Sequence, residues 1–177
     1  MGNGKIKLLA ILDAVLLLSC IAVALPVLML GISDNSASIY GILQSIADIV
    51  VAAFGAYYLF VGYTKESGKK YYKFYLYSFA VSVAVAFFGG YESPVVALLL
   101  AMTLSALCVM AFADDLGEVK SKVFAAIAGA CVIAVAVMGI IGDKFDTVGI
   151  FTDFVISTSC YILVCAKYDD KKTRGTK

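Results

Sequence analysis

Six long apolar blocks separated by short polar interruptions account for almost the whole chain. The block at 39–63, IYGILQSIADIVVAAFGAYYLFVGY, is 25 residues long and nearly unbroken. At about 1.5 Å per helical residue it can cross a hydrocarbon core of roughly 30 Å. The pattern predicts helices over 6–30, 39–63, 71–88, 94–113, 123–141 and 148–166, followed by a polar cytoplasmic tail at 167–177. The fold class expected is an all-α integral membrane protein. It is one domain over 1–177, a bundle of six transmembrane helices with short loops.

The breaks between blocks carry turn chemistry. GISDNSAS at 31–38, GGYES at 89–93 and GDKFDT at 142–147 connect helices on one side, and TKESGKKYYK at 64–73 and DDLGEVKSK at 114–122 on the other. Ser93-Pro94 reads as a helix start, with a serine able to cap and a proline at the first helical position. Pro26 falls inside the first helix and frees the carbonyl of Ala22, which predicts a kink there. The first block begins like a signal peptide, and Leu17-Leu18-Ser19-Cys20 approximates a lipoprotein cleavage box. The apolar run continues past Cys20, however, and Asp13 interrupts the would-be signal core, so an uncleaved crossing is expected. Ile6 breaks the N-terminal acylation pattern.

Basic residues sort by side. Lys5, Lys7, Lys65, Lys69, Lys70, Lys73, Lys120, Lys122, Lys167, Lys171, Lys172, Arg174 and Lys177 fall at the termini or in the 64–73 and 114–122 connections. The other connections hold only Lys144. Thirteen of fourteen on one side is a positive-inside signal. It predicts a multi-pass protein of the plasma membrane with both termini cytoplasmic. Helices 2, 4 and 6 also return to that side through similar charged segments, an arrangement compatible with three helical hairpins related by duplication. Six short-looped helices with both ends inside are the general shape of several small proteins of the bacterial inner membrane. That is an analogy of shape with no motif behind it.

Composition supports the class. The chain is 62% hydrophobic and 15% charged, where a soluble domain carries about 25% charged residues. A net charge of +1 offers nucleic acid no electrostatic partner surface, and the expected surroundings are a lipid bilayer. Histidine and tryptophan are absent, which removes the commonest general base and leaves tyrosine to form any interfacial belt. Tyr57, Tyr58, Tyr63, Tyr71, Tyr72, Tyr75 and Tyr77, with Phe74, cluster where such a belt would lie. The five cysteines all sit in apolar blocks and read as reduced, buried side chains.

The candidate chemistry is three acids inside the spans: Asp13, Asp48 and Asp153. Placing an acid at a helix centre costs roughly 2.5–3.5 kcal/mol, so such residues face a protein interior or a watery cavity. Counting from the loops puts Asp48 near the midplane, Asp153 in the outer third and Asp13 in the inner third. No Lys or Arg lies at comparable depth. Asp13 is close enough to the cytoplasmic edge to meet water or a lysine of the 64–73 loop. Gly41, Gln44, Ser45, Asp48, Ala52 and Gly55 share one face of helix 2, and Ile42, Ile46, Ile49, Val50 and Leu59 read as the lipid face. Further polar support is available from Ser157 beside Asp153, from Ser78 and Ser82 on helix 3, and from Thr103 and Ser105 on helix 4.

These residues predict a polar bundle interior centred on Asp48. Gln44, Ser45, Asp153, Ser157, Ser78, Ser82 and Asp13 are its candidate binding residues, and the ligand or conducted species is a cation, proton or small solute. No HExxH, GxSxG, P-loop or CxxC pair is present, and FTDF and IADI lack the context of an aspartyl intramembrane protease. No enzyme activity, cofactor or metal is expected. The alternative is a non-catalytic accessory subunit of a larger membrane complex. Its partner, or a second copy, would dock on the small-residue face Ala125–Gly129 of helix 5.

Overall fold

The computed structural model describes residues 3–34, 38–62, 69–89, 93–113, 116–142 and 147–174. Tyr63 of the tyrosine cluster, and Lys65, Lys144 and Lys177 of the side count, lie outside the described residues. The described elements are all helical: α1 (Asn3–Ser33), α2 (Ile39–Tyr57) continuing into a π-helical turn (Tyr58–Gly62), α3 (Lys69–Phe88), α4 (Pro94–Phe112), α5 (Glu118–Ile141) and α6 (Thr147–Arg174). All six helices are long and apolar enough to cross a membrane.

Helix starts follow local chemistry. Ser38 caps α2 by accepting the backbone N–H of Gly41 at 3.0 Å. Ser93 has the backbone of a cap and Pro94 stands just inside α4, but the Ser93 hydroxyl makes no capping bond. α5 begins five residues before the expected boundary, because the charged stretch is itself helical. Glu118 sits in its first turn, and Lys122 donates to it at 2.7 Å one turn later. α6 likewise runs to Arg174, through most of the segment expected to be a tail. Nothing between Lys167 and Arg174 breaks a helix, and the first breaker is Gly175.

Each helix packs on its neighbours in the chain, and α1 packs on α6, which closes a ring. Two close approaches set its width. At Gly55 of α2 a β-carbon would stand 2.9 Å from Leu17 Cδ1 of α1 and 3.1 Å from the Tyr75 ring of α3. At Gly129 of α5 a β-carbon would stand 3.0 Å from the backbone oxygen of Ser157 on α6. Gly129 is therefore buried against α6 of the same chain and Ala125, one turn earlier, is buried as well, while Ala126 and Ala130 face outward.

The core is concentrated in the half of the ring that carries the lysine-rich connections. Leu17, Leu59, Tyr75, Leu76, Leu107 and Leu163 are almost fully buried there. Leu59 is 1% exposed and does not face lipid. It continues the stripe of Asp48, Ala52 and Gly55 at helical spacings of four, three and four residues. The tyrosine cluster also divides. Tyr57 and Tyr77 lie outside, whereas Tyr58, Tyr72 and Tyr75 are interior packing groups. The α2 and α3 members pair across the contact, with ring centroids 4.4 Å apart for Tyr57–Tyr71 and 5.8 Å for Tyr58–Tyr72. The outer surface remains strongly apolar, with Leu8, Leu12, Val27 and Leu30 of α1 among many exposed large side chains. A water-soluble domain rarely exposes such a surface, which is the arrangement of a multi-pass membrane protein.

Candidate functional site: a vestibule floored by Asp48

The other half of the ring is open. α2 to α6 surround a cavity of about 520 Å³ that extends to the helix ends at Ser93 and Gly142. Its walls are largely apolar, including Phe79, Val83, Val96, Leu100, Val132 and Val135. Its polar groups are Gln44, Asp48, Ser82, Ser93 and Asp153.

Asp48 is 7% exposed and is held by two neighbours. The Ser82 hydroxyl of α3 donates to its Oδ1 at 2.6 Å, and the Gln44 amide, one turn earlier on α2, donates to the same oxygen at 3.0 Å. The second N–H of Gln44 donates to Ser82 Oγ at 2.8 Å. Three donor hydrogens make three bonds, and Asp48 acts only as an acceptor. Both bonds to the carboxylate fall on Oδ1, and the third ties the two donors together. Among the described residues Asp48 Oδ2 has no partner, yet it is not one of the sealed, unpaired atoms, so it opens on the cavity. Gln44 Oε1 is buried without a partner among the described residues.

Below the floor the described residues pack across the bundle. The Tyr75 hydroxyl of α3 reaches across to donate to the backbone oxygen of Ile156 on α6 at 2.8 Å. Its ring lies 6.0 Å from that of Phe79, which belongs to the cavity wall. Further down, Tyr168 joins α6 to α5 through the Ser121 hydroxyl at 3.0 Å and to the Leu116 carbonyl. The Lys167 ammonium sits 4.4 Å from the centre of the Tyr72 ring, a cation–π contact across α6 and α3.

Of the eight residues singled out from sequence, the cavity brings together Gln44, Asp48, Ser82 and Asp153. Ser45, Ser78 and Ser157 bond carbonyls of their own helices and are not among the lining residues. The hydroxyls of Thr103 and Ser105 do the same on α4. Asp13 stands elsewhere, 2% exposed between α1 and α6. It does not meet water at the cytoplasmic edge. The Ser159 hydroxyl lies 2.9 Å from its Oδ1, and its Oδ2 is buried without a partner among the described residues. Ser93 and Ser159 were not anticipated. Only the ring closure of α1 on α6 places Ser159 opposite Asp13, and no spacing in the sequence encodes that contact.

The chain matches no protein-family model, no curated protein and no solved structure. The reading of the site therefore rests on its geometry.

Proposed function

We propose that this is a small transport-related membrane protein that binds a cation or small solute in the vestibule centred on Asp48. One observation carries the reading. A carboxylate in the middle of an apolar bundle is fixed by two donors on one oxygen while the other oxygen opens on a cavity large enough for a small molecule. Asp13 is the contrast: its second oxygen is sealed in the α1–α6 contact, away from the cavity.

The lysine-rich end of the ring is read as cytoplasmic, which gives N-in and C-in topology in a plasma membrane, the inner membrane if the source is bacterial. The vestibule then faces outward and the packed half with Tyr75 closes the inner side. Movement of a bound species would require that packed half to loosen, so energy coupling through an ion gradient or a partner chain is compatible with the fold. The vestibule is read as a binding site and not a catalytic one. The deciding experiment is solute or ion uptake into liposomes containing the purified protein. Asp48→Asn is expected to abolish it while the protein stays monodisperse, and unaltered flux would count against the reading.

The accessory-subunit alternative is supported by the small outward pair Ala126 and Ala130 on α5, spaced by one turn. Copurification of a stoichiometric partner from native membranes, lost on Ala126→Leu, would favour it.

A further inference from the structure

We infer that the vestibule takes a protonated primary or secondary amine with an apolar body. This rests on the reading above that the vestibule is a binding site, and it names the ligand class. The floor offers one outward acceptor, Asp48 Oδ2, whose direction is set by the two bonds on Oδ1. That geometry fits an N–H donor carrying positive charge.

The walls above it are Val, Leu, Phe and Met side chains, which gain from an apolar body and give nothing to a hydrated ion. A metal ion is poorly served. Divalent cations of the calcium type take six or more oxygens, and among the described residues no three acidic, cysteine or histidine side chains gather as a ligand set. The volume of about 520 Å³ falls within the range of small-molecule sites and is far larger than one ion needs. Asp48 and Asp153 both line the space, so an anion is disfavoured.

The test is equilibrium binding of radiolabelled 2-phenylethylamine to the full chain in lipid nanodiscs, with an uncharged phenylalkyl alcohol as competitor and radioactive sodium as a second probe. Saturable amine binding is expected, with the alcohol at least tenfold weaker. Asp48→Asn should weaken the amine at least tenfold, and Ala136→Phe, which fills the cavity from α5, should abolish binding. Equal affinity for alcohol and amine, or amine binding indifferent to both substitutions, overturns the inference. If Asp48→Asn is not recovered folded, Ala136→Phe decides alone, and retained amine binding overturns the inference. Sodium binding that depends on Asp48, without amine binding, sinks the amine and leaves the vestibule reading standing. Binding of neither probe sinks both.

Discussion

Ser82 of α3 donates to the buried carboxylate of Asp48 on α2 at 2.6 Å, and this bond joins the two helices at the floor of the vestibule. Ser82→Ala removes that bond and also the acceptor for the second N–H of Gln44. Interhelical hydrogen bonds in membranes average about 0.6 kcal/mol and reach about 1.7, so a loss of about 1–2 kcal/mol is expected. It should appear as an earlier midpoint in detergent-titrated unfolding. Ligand affinity should fall as well, because Asp48 Oδ1 is then held by Gln44 alone and the direction of Oδ2 is less well fixed. A Ser82→Ala protein with unchanged stability and affinity would show that the bond orients nothing.

The Gly129–Ser157 approach makes a sharper demand than Gly55. At Gly55 the nearest obstacle to a β-carbon is the flexible end of Leu17, which can move, and the Tyr75 ring at 3.1 Å need give by only tenths of an ångström. At Gly129 the obstacle is a backbone oxygen at 3.0 Å inside a helix, which cannot. Gly129→Ala is therefore expected to be the more destabilising, by about 1–3 kcal/mol from overpacking, offset by up to about 1 kcal/mol of helix propensity. Gly129→Leu should not yield a monodisperse protein. Comparing melting temperatures of Gly55→Ala and Gly129→Ala in one detergent checks the order.

The helices themselves were legible because long apolar blocks separated by short polar breaks encode their number. Their ends were less so. α5 and α6 extend into charged segments because Glu, Lys and Asp do not stop a helix without a glycine or proline behind them. Asp48, Gln44 and Ser82 were legible as candidates because a polar group inside an apolar span needs a reason. Their assembly was not. Ser45 and Ser78 have the same spacing and polarity as the residues that meet, and differ only in bonding their own helical carbonyls. Asp13 with Ser159 is the clearest illegible case, since the two lie 146 residues apart and meet only through closure of the ring.

That second acid has different bookkeeping from Asp48. Ser159 Oγ lies 2.9 Å from Asp13 Oδ1 and 2.7 Å from the Val155 carbonyl, and one hydroxyl proton cannot serve both. With the Ser159 proton on the Val155 carbonyl, a proton on Asp13 Oδ1 would be donated to Ser159; Oδ2 has no partner among the described residues either way. Asp13→Asn keeps a donor at that position and should retain stability within about 0.5 kcal/mol. Ser159→Ala should cost about 1–3 kcal/mol by leaving Asp13 buried with no partner. Unfolding midpoints of the two variants test this, and an Asn variant less stable than Ser159→Ala would show that Asp13 is held as a carboxylate.

The outward-facing vestibule depends on orientation, which single-cysteine labelling in intact cells can read directly. With the native cysteines replaced by alanine or serine, Ser93→Cys and Gly142→Cys lie at the open end of the cavity and Lys70→Cys at the opposite end of the ring. A membrane-impermeant maleimide should modify the first two in intact cells and Lys70→Cys only after permeabilisation. Saturating amine should slow labelling at Ser93→Cys severalfold if the ligand occupies the same space. The reverse pattern would place the lysine-rich end outside. That would leave the Asp48 geometry intact but turn the cavity toward the cytoplasm, making the site one that loads from within the cell.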